Sequence, residues 1–301
     1  MQSNGKFLLA AGALCMLVAT GCDDSTGPFG DDDDRIVFAS DRTGTFEIYS
    51  MDSDGDDQEQ LTNTGVYNNR PVWAEDGEHI VFVSDRTGNR DIWIMEEDGS
   101  GLANITANPF GDDEPSVSPD GSRVAFVSNR LGGNAEIWVI NTDGTGATRL
   151  TTNAAADNAP TWSPDGTRIA FMSTRGDGIA YDIFVMNADG TGVVRLSTDA
   201  GDDTDPTWSS DGTQIAFVSS RTGNAEIFTM NPDGTAKTNV SNNPGVDAQP
   251  SYSVLADSED LVWTATRDGN SAEIYIMDSD SPTTQTRLTN NAFIDENPSI
   301  R

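Results

Sequence analysis

Apolar positions recur along this chain in short alternating runs. Runs such as "IVFAS", "VAFVS", "IAFVS" and "LVWTA" begin at Ile36, Ile80, Val124, Ile169, Ile215 and Leu261, at spacings of 44, 44, 45, 46 and 46 residues. A fixed period near 45 suits a repeat of four short strands per unit. Each unit opens on one alternating run and crosses a turn such as "RTGN". It continues through "EIWVI" or "EIYIM" and turns again at Asp-Gly, as in "NTDGTG". A third, shorter strand ends in "RLT" or "RLS". A loop then leads to "PTWS", and "SPDG" returns the chain to the next unit. Asp-Gly between alternating runs marks hairpins, because glycine accepts the positive φ that such turns need. No stretch after residue 35 carries helical periodicity.

Six four-stranded antiparallel sheets bury both their faces by packing on one another in a ring. The sequence therefore predicts an all-β fold, a six-bladed β-propeller over residues 36–301. The first unit lacks a preceding "PxW" strand, and the last runs on to "ENPSIR". The C-terminal segment of Pro298, Ser299 and Ile300 is thus expected to complete the first blade as its innermost strand.

The N-terminus reads differently. Lys6 precedes the apolar run "FLLAAGALCMLVATG", which is short for a bilayer span. Small residues Ala19, Thr20 and Gly21 then precede Cys22, a pattern that resembles the lipobox of bacterial lipoproteins; Ala19 stands where leucine is commoner. The expectation is a signal peptide over residues 1–21 and lipidation at Cys22. Plain secretion with a free Cys22 is the alternative. "DDSTGPFGDDDD" then gives an acidic flexible tether over 22–35. The remaining cysteine, Cys15, lies inside the leader, so the mature chain has no disulfide and no cysteine zinc site.

Charge narrows the partners. Without Lys6 the chain has 16 basic against 49 acidic side chains, a balance of −33. Such a surface repels nucleic acid and anionic lipid headgroups and attracts basic partners. The membrane is expected to be reached through the lipid alone, and the chain to be a monomer.

The run "PTWSPDGTRIAF" from Pro160 to Phe171, with "PTWSSDGTQIAF" from Pro206 to Phe217, resembles the repeats of the TolB-type propeller family. The likeness covers about residues 36–301, and the fifth copy, "PSYSVLADSEDLVW", departs most by losing the Asp-Gly turn. The resemblance implies an extracytoplasmic binding module, without a common catalytic set. The family's namesake has a further N-terminal α/β domain, in whose place this sequence has only the tether.

Several residues recur in every unit. Arg42, Arg86, Arg130, Arg175, Arg221 and Arg267 are each followed by an acid, namely Glu47, Asp91, Glu136, Asp182, Glu226 and Glu273. The expectation is an ion pair across each hairpin. Trp73, Trp162, Trp208 and Tyr252 share a slot with Val117 and Ile300, which argues for packing between blades. "DSDGDD" at Asp52, Asp54 and Asp56 invites calcium but lacks the distal glutamate of a full ion-binding loop. No cofactor is required by the sequence.

Strand alternation puts the "RTGN" hairpins and the loops before each proline on one face. Asp112, Asp157, Asp203, Asp247 and Asp295, with Asn68, lie three residues before those prolines and are expected to ring the channel mouth. Two readings compete for them, a negative funnel for a cation or basic side chain and turn caps. Arg70 is the basic residue nearby. The same loops carry Tyr67, Phe110 and Phe293 with Ile294, predicted to form an aromatic patch for a protein or peptide partner. A carbohydrate or cell-wall binding module and a glycan-acting hydrolase are the other classes considered. The single His79 disfavours histidine metal sites and triads, and no catalytic constellation is evident, so the reading is non-enzymatic.

Overall fold

The computed structural model describes residues 34–301 except 177, 256–257, 268, 270 and 279–282. The predicted leader, Cys22 and most of the tether lie outside the described residues. Twenty-four strands form six antiparallel sheets of four. The second blade serves as a pattern: Asn68–Trp73 is innermost, then come His79–Ser84, Asp91–Glu96 and the two-residue edge Ala103–Asn104. The edge strands are short, which leaves little unpaired backbone to template aggregation.

The first blade is closed by the tail. Its Arg35–Ser40 strand pairs with Asp295–Ile300, with Ile36 opposite Ile300 and Ser40 opposite Asp295. The Arg301 N–H donates to the Arg35 carbonyl at 3.0 Å, and the Asp41 N–H donates to the Ile294 carbonyl at 3.2 Å. The expected closure of the ring by the C-terminal strand is what the structure contains.

The core is divided into six clusters, one for each junction between blades. Trp162 of the fourth blade packs among Ala125, Ile137 and Val139 of the third. Trp208 packs in the same way on Ala170, Ile183 and Val185, and Tyr252 on Ala216, Val218 and Ile227. At the junction of last and first blades, Ile300 and Ile36 join Val262, Ile274 and Ile276. The recurring aromatic slot is therefore inter-blade packing. Guanidinium groups cover three of these rings from outside: Arg301 over Trp73, Arg123 over Trp162 and Arg168 over Trp208, at 4.4–4.7 Å.

The Asp-Gly turns touch the preceding blade. Gly234 has φ +84, and a Cβ there would lie 2.5 Å from the Leu196 carbonyl oxygen. Only glycine meets both demands at that turn.

Candidate functional site

The innermost strands line the channel, and each contains a bulge. Pairing in the second blade jumps from Asn69–Val83 to Val72–Val81, and five other blades show the same slip. The residue at each bulge stands directly before the proline and has positive φ. These residues are Arg70, Glu114, Ala159, Asp205, Gln249 and Asn297, at 46–56°. Left-handed backbone is costly for non-glycine residues and persists only where surroundings impose it. Here side chains take the N–H that the ladder loses. The Ala159 N–H donates to Glu114 at 2.6 Å, and the Asn297 N–H donates to Gln249 at 3.1 Å.

This ring forms the floor of a central cavity of about 210 Å³. The walls are the six prolines that follow, with Val72, Ser116, Thr161, Thr207, Ser251 and Ser299. The rim lies at the "SPDG"-type turns, with Glu75, Pro119, Pro164 and Ser210. The cavity thus runs toward the Asp-Gly face, away from the loops that precede the prolines.

Charge on the floor is uneven. Arg70 Nε lies 3.0 Å from Asp113 Oδ1, and Arg70 Nη2 lies 3.5 Å from Glu114 Oε1. Arg90 reaches the other Asp113 oxygen at 2.6 Å. Asp205 accepts one hydrogen bond, from the Thr204 hydroxyl at 3.1 Å, and feels Arg70 from the opposite side of the ring. Burial pushes the Glu114 and Asp205 carboxyls up, and the Arg70 charge opposes that rise. At the rim, burial and the Asp120 carboxylate raise Glu75 to about 7. Asp120 itself is held down to about 2 by the Ser118 and Ser122 hydroxyls and the Ser122 N–H.

The residues singled out from sequence fall elsewhere. Asp112, Asp157, Asp203, Asp247 and Asp295 do not form an open ring at the mouth; all are at most 1 % exposed. Each is gripped by the arginine of its own blade: Arg130, Arg175, Arg221, Arg267 and Arg42 respectively, at 2.5–3.0 Å. An asparagine four residues earlier adds a second donor in four of them, Asn108 to Asp112 and Asn153 to Asp157 among them. In the second blade Asn68 takes the place of the aspartate and accepts from Arg86 at 2.8 Å. These arginines lie flat over core rings, as Arg130 does over Phe126 and Trp138. They therefore turn to the innermost strand, and among the described residues no ion pair is seen between them and the hairpin acids. The hairpin acids instead pin the loops. Glu47 accepts from the Thr62 hydroxyl and from the Thr64 and Gly65 N–H groups at 2.6–2.8 Å. Glu136, Asp182 and Glu273 pair with Arg149, Arg195 and Arg287 of the third strands.

The aromatic patch is only partly open. Phe110, Phe293 and Ile294 are exposed, at 43, 45 and 37 %. Tyr67 is half-buried beneath the Arg90 guanidinium and edge-on to Phe46. Arg70 sits on the channel floor, away from the loop surface. Sequence reading missed Val246 and Leu131, which are exposed on the same face. With them, exposed apolar side chains stand on the loops before Asp112, Asp247 and Asp295 and on the hairpin of the third blade. It also missed the bulge ring. The available signal was contrast: the aspartate slot is nearly constant, whereas the pre-proline slot changes in every blade. The "DSDGDD" loop is a capped turn in which Asp54 accepts the Asp56 N–H at 2.9 Å. His79 bonds Asp76 at 2.8 Å. Among the described residues, no three His, Cys, Asp or Glu side chains come together to hold a metal.

The family model of the TolB beta propeller domain matches residues 9–127, 68–158, 112–180 and 159–301. This chain belongs to that family. Among solved structures it is similar to TolB from Acinetobacter baumannii, with a TM-score of 0.77 and 23% identity over 90% of this chain and 67% of that one. It is also similar to a putative TolB from Agrobacterium tumefaciens, with a TM-score of 0.69 and 21% identity over 86% of this chain and 90% of that one. An oligogalacturonate lyase in complex with manganese has a TM-score of 0.61 and 15% identity over 87% of this chain and 75% of that one. At these identities the likeness is one of fold. No curated protein matches the sequence of this chain.

Proposed function

We propose that this propeller is an exported scaffold, anchored by a lipid on Cys22, that engages a protein or peptide partner of the cell envelope. The face used is the one that carries the pre-proline loops. The observation that carries this reading is the set of exposed apolar side chains Val246, Phe293, Ile294, Phe110 and Leu131, left open around loops whose buried aspartates are latched by arginines. Exposed aromatic and aliphatic side chains on a rigid scaffold make good anchors for a partner. Membership of a TolB propeller family supports a binding role over chemistry.

The test is a pull-down from cell envelopes with the parent chain and the Phe110→Ala, Phe293→Ala, Ile294→Ala triple variant. The partner is expected to be lost from the variant while its melting temperature is unchanged. Equal recovery by both chains rejects the proposed face. Labelling with a fatty-acid analogue checks the anchor: the parent takes label and Cys22→Ser does not.

A further inference from the structure

The central cavity has a charge pattern that the partner-binding face does not use. Its floor holds Asp205, whose Oδ2 accepts from Thr204 and whose Oδ1, among the described residues, receives no protein hydrogen bond. A carboxylate offers about four lone-pair sites, so Asp205 can accept further bonds from a ligand in the bore. Arg70 does not fill that need directly, because Asp113 and Glu114 hold its guanidinium on the other side of the ring. Of the charged groups that line the floor, Arg70 stands against Glu114 and Asp205, which leaves one negative charge in excess, while Asp113 is shared by Arg70 and Arg90 outside the lining. The rim holds a second unpaired carboxylate, Glu75, near Asp120 of the next blade. Between floor and rim the bore is bounded by the six prolines and Val72, with the hydroxyl side chains of Ser116, Thr161, Thr207, Ser251 and Ser299 between them. Glu75 stands five positions beyond Arg70 on the same inner segment, at most roughly 16 Å along the bore at about 3.3 Å per residue.

We propose that this bore binds a linear aliphatic polyamine end-on, with one ammonium on Asp205, a second at Glu75 and the methylenes against the proline collar. The ligand must be narrow and cationic at both ends, and a linear polyamine meets both conditions, its methylenes lying on the prolines and its internal ammonium on the wall hydroxyls. A metal ion is too short to reach both carboxylates, and a neutral sugar would bond to them without compensating their charge.

Calorimetric titration of the full chain with spermidine, at a fixed ionic strength of about 0.15 M, tests this. One saturable site per chain is expected. Asp205→Asn and Glu75→Gln should each weaken it about tenfold, the loss of one charge-assisted bond. Thr161→Phe, which narrows the bore, should abolish it with the circular dichroism unchanged. The Phe110, Phe293 and Ile294 triple variant should bind spermidine like the parent, so failure of the partner-binding reading and failure of this one are distinguishable. Uptake of many spermidines per chain, equal in parent, Asp205→Asn and Thr161→Phe, would mark surface counter-ions and overturn the proposal. So would full displacement of spermidine by magnesium at matched charge.

Discussion

Arg130 Nη2 lies 2.8 Å from Asp112 Oδ2, and the Asp112 side chain is fully buried. The pair joins the start of the inner strand to the hairpin after the second strand, so it braces one sheet of the ring. Removing the cation strands a buried carboxylate, which costs far more than the pair contributes over an apolar replacement. Arg130→Ala is expected to lower stability by about 3 kcal/mol. Arg130→Lys should recover only part, because lysine lacks the fork that also reaches the Ser128 hydroxyl. Denaturant midpoints of the three chains check this, and a loss below about 1 kcal/mol in the alanine variant counts against the brace.

Ring closure makes the tail a structural element. Deleting residues 296–301 removes most of the Asp295–Ile300 strand and strips Ile300 from the cluster with Ile36 and Val262. Buried backbone groups of the first blade then lose partners, at about 1 kcal/mol or more each. The melting temperature of the shortened chain should fall by many degrees. An unchanged melting curve would refute closure as a source of stability.

Glu75 predicts a pH effect of known sign. Its folded-state carboxyl titrates at about 7, above the usual glutamate value. The folded chain therefore holds a proton that the unfolded chain releases. This stabilisation is present below the unfolded value near 4.5 and is lost as pH rises through about 7. Glu75→Gln should remove that loss, so its melting temperature should gain on the parent between pH 5 and pH 8. The side chain is only partly withdrawn from solvent, which keeps the effect small. A constant difference between the two chains across this range would contradict the reading.

The fold was legible because every blade repeats the same local instructions. The period of the runs at Ile36, Ile80 and Val124, the Asp-Gly turns and the "PSIR" tail are all statements about neighbours in sequence or about a slot filled six times. The aromatic slot at Trp73 and Trp162 was legible for the same reason, since aliphatic residues replace them. The site was less legible. Arg130 could meet either Glu136 on the adjacent strand or Asp112 across the blade, and strand spacing alone favours the nearer acid. The ring contact over Phe126 and Trp138 turns it to the other.

Sequence by itself determined the blade number, the strand order, the closure and the inter-blade packing, because burial of alternating residues leaves one consistent arrangement. Tertiary structure alone decided which side chains enter the channel. The six bulges break the two-residue alternation, so Asp112 and its counterparts turn into the blades while Arg70, Glu114 and Asp205 turn inward. A break in register arises from the pull of proline, left-handed backbone and side-chain hydrogen bonds acting together, and no single position along the chain announces it.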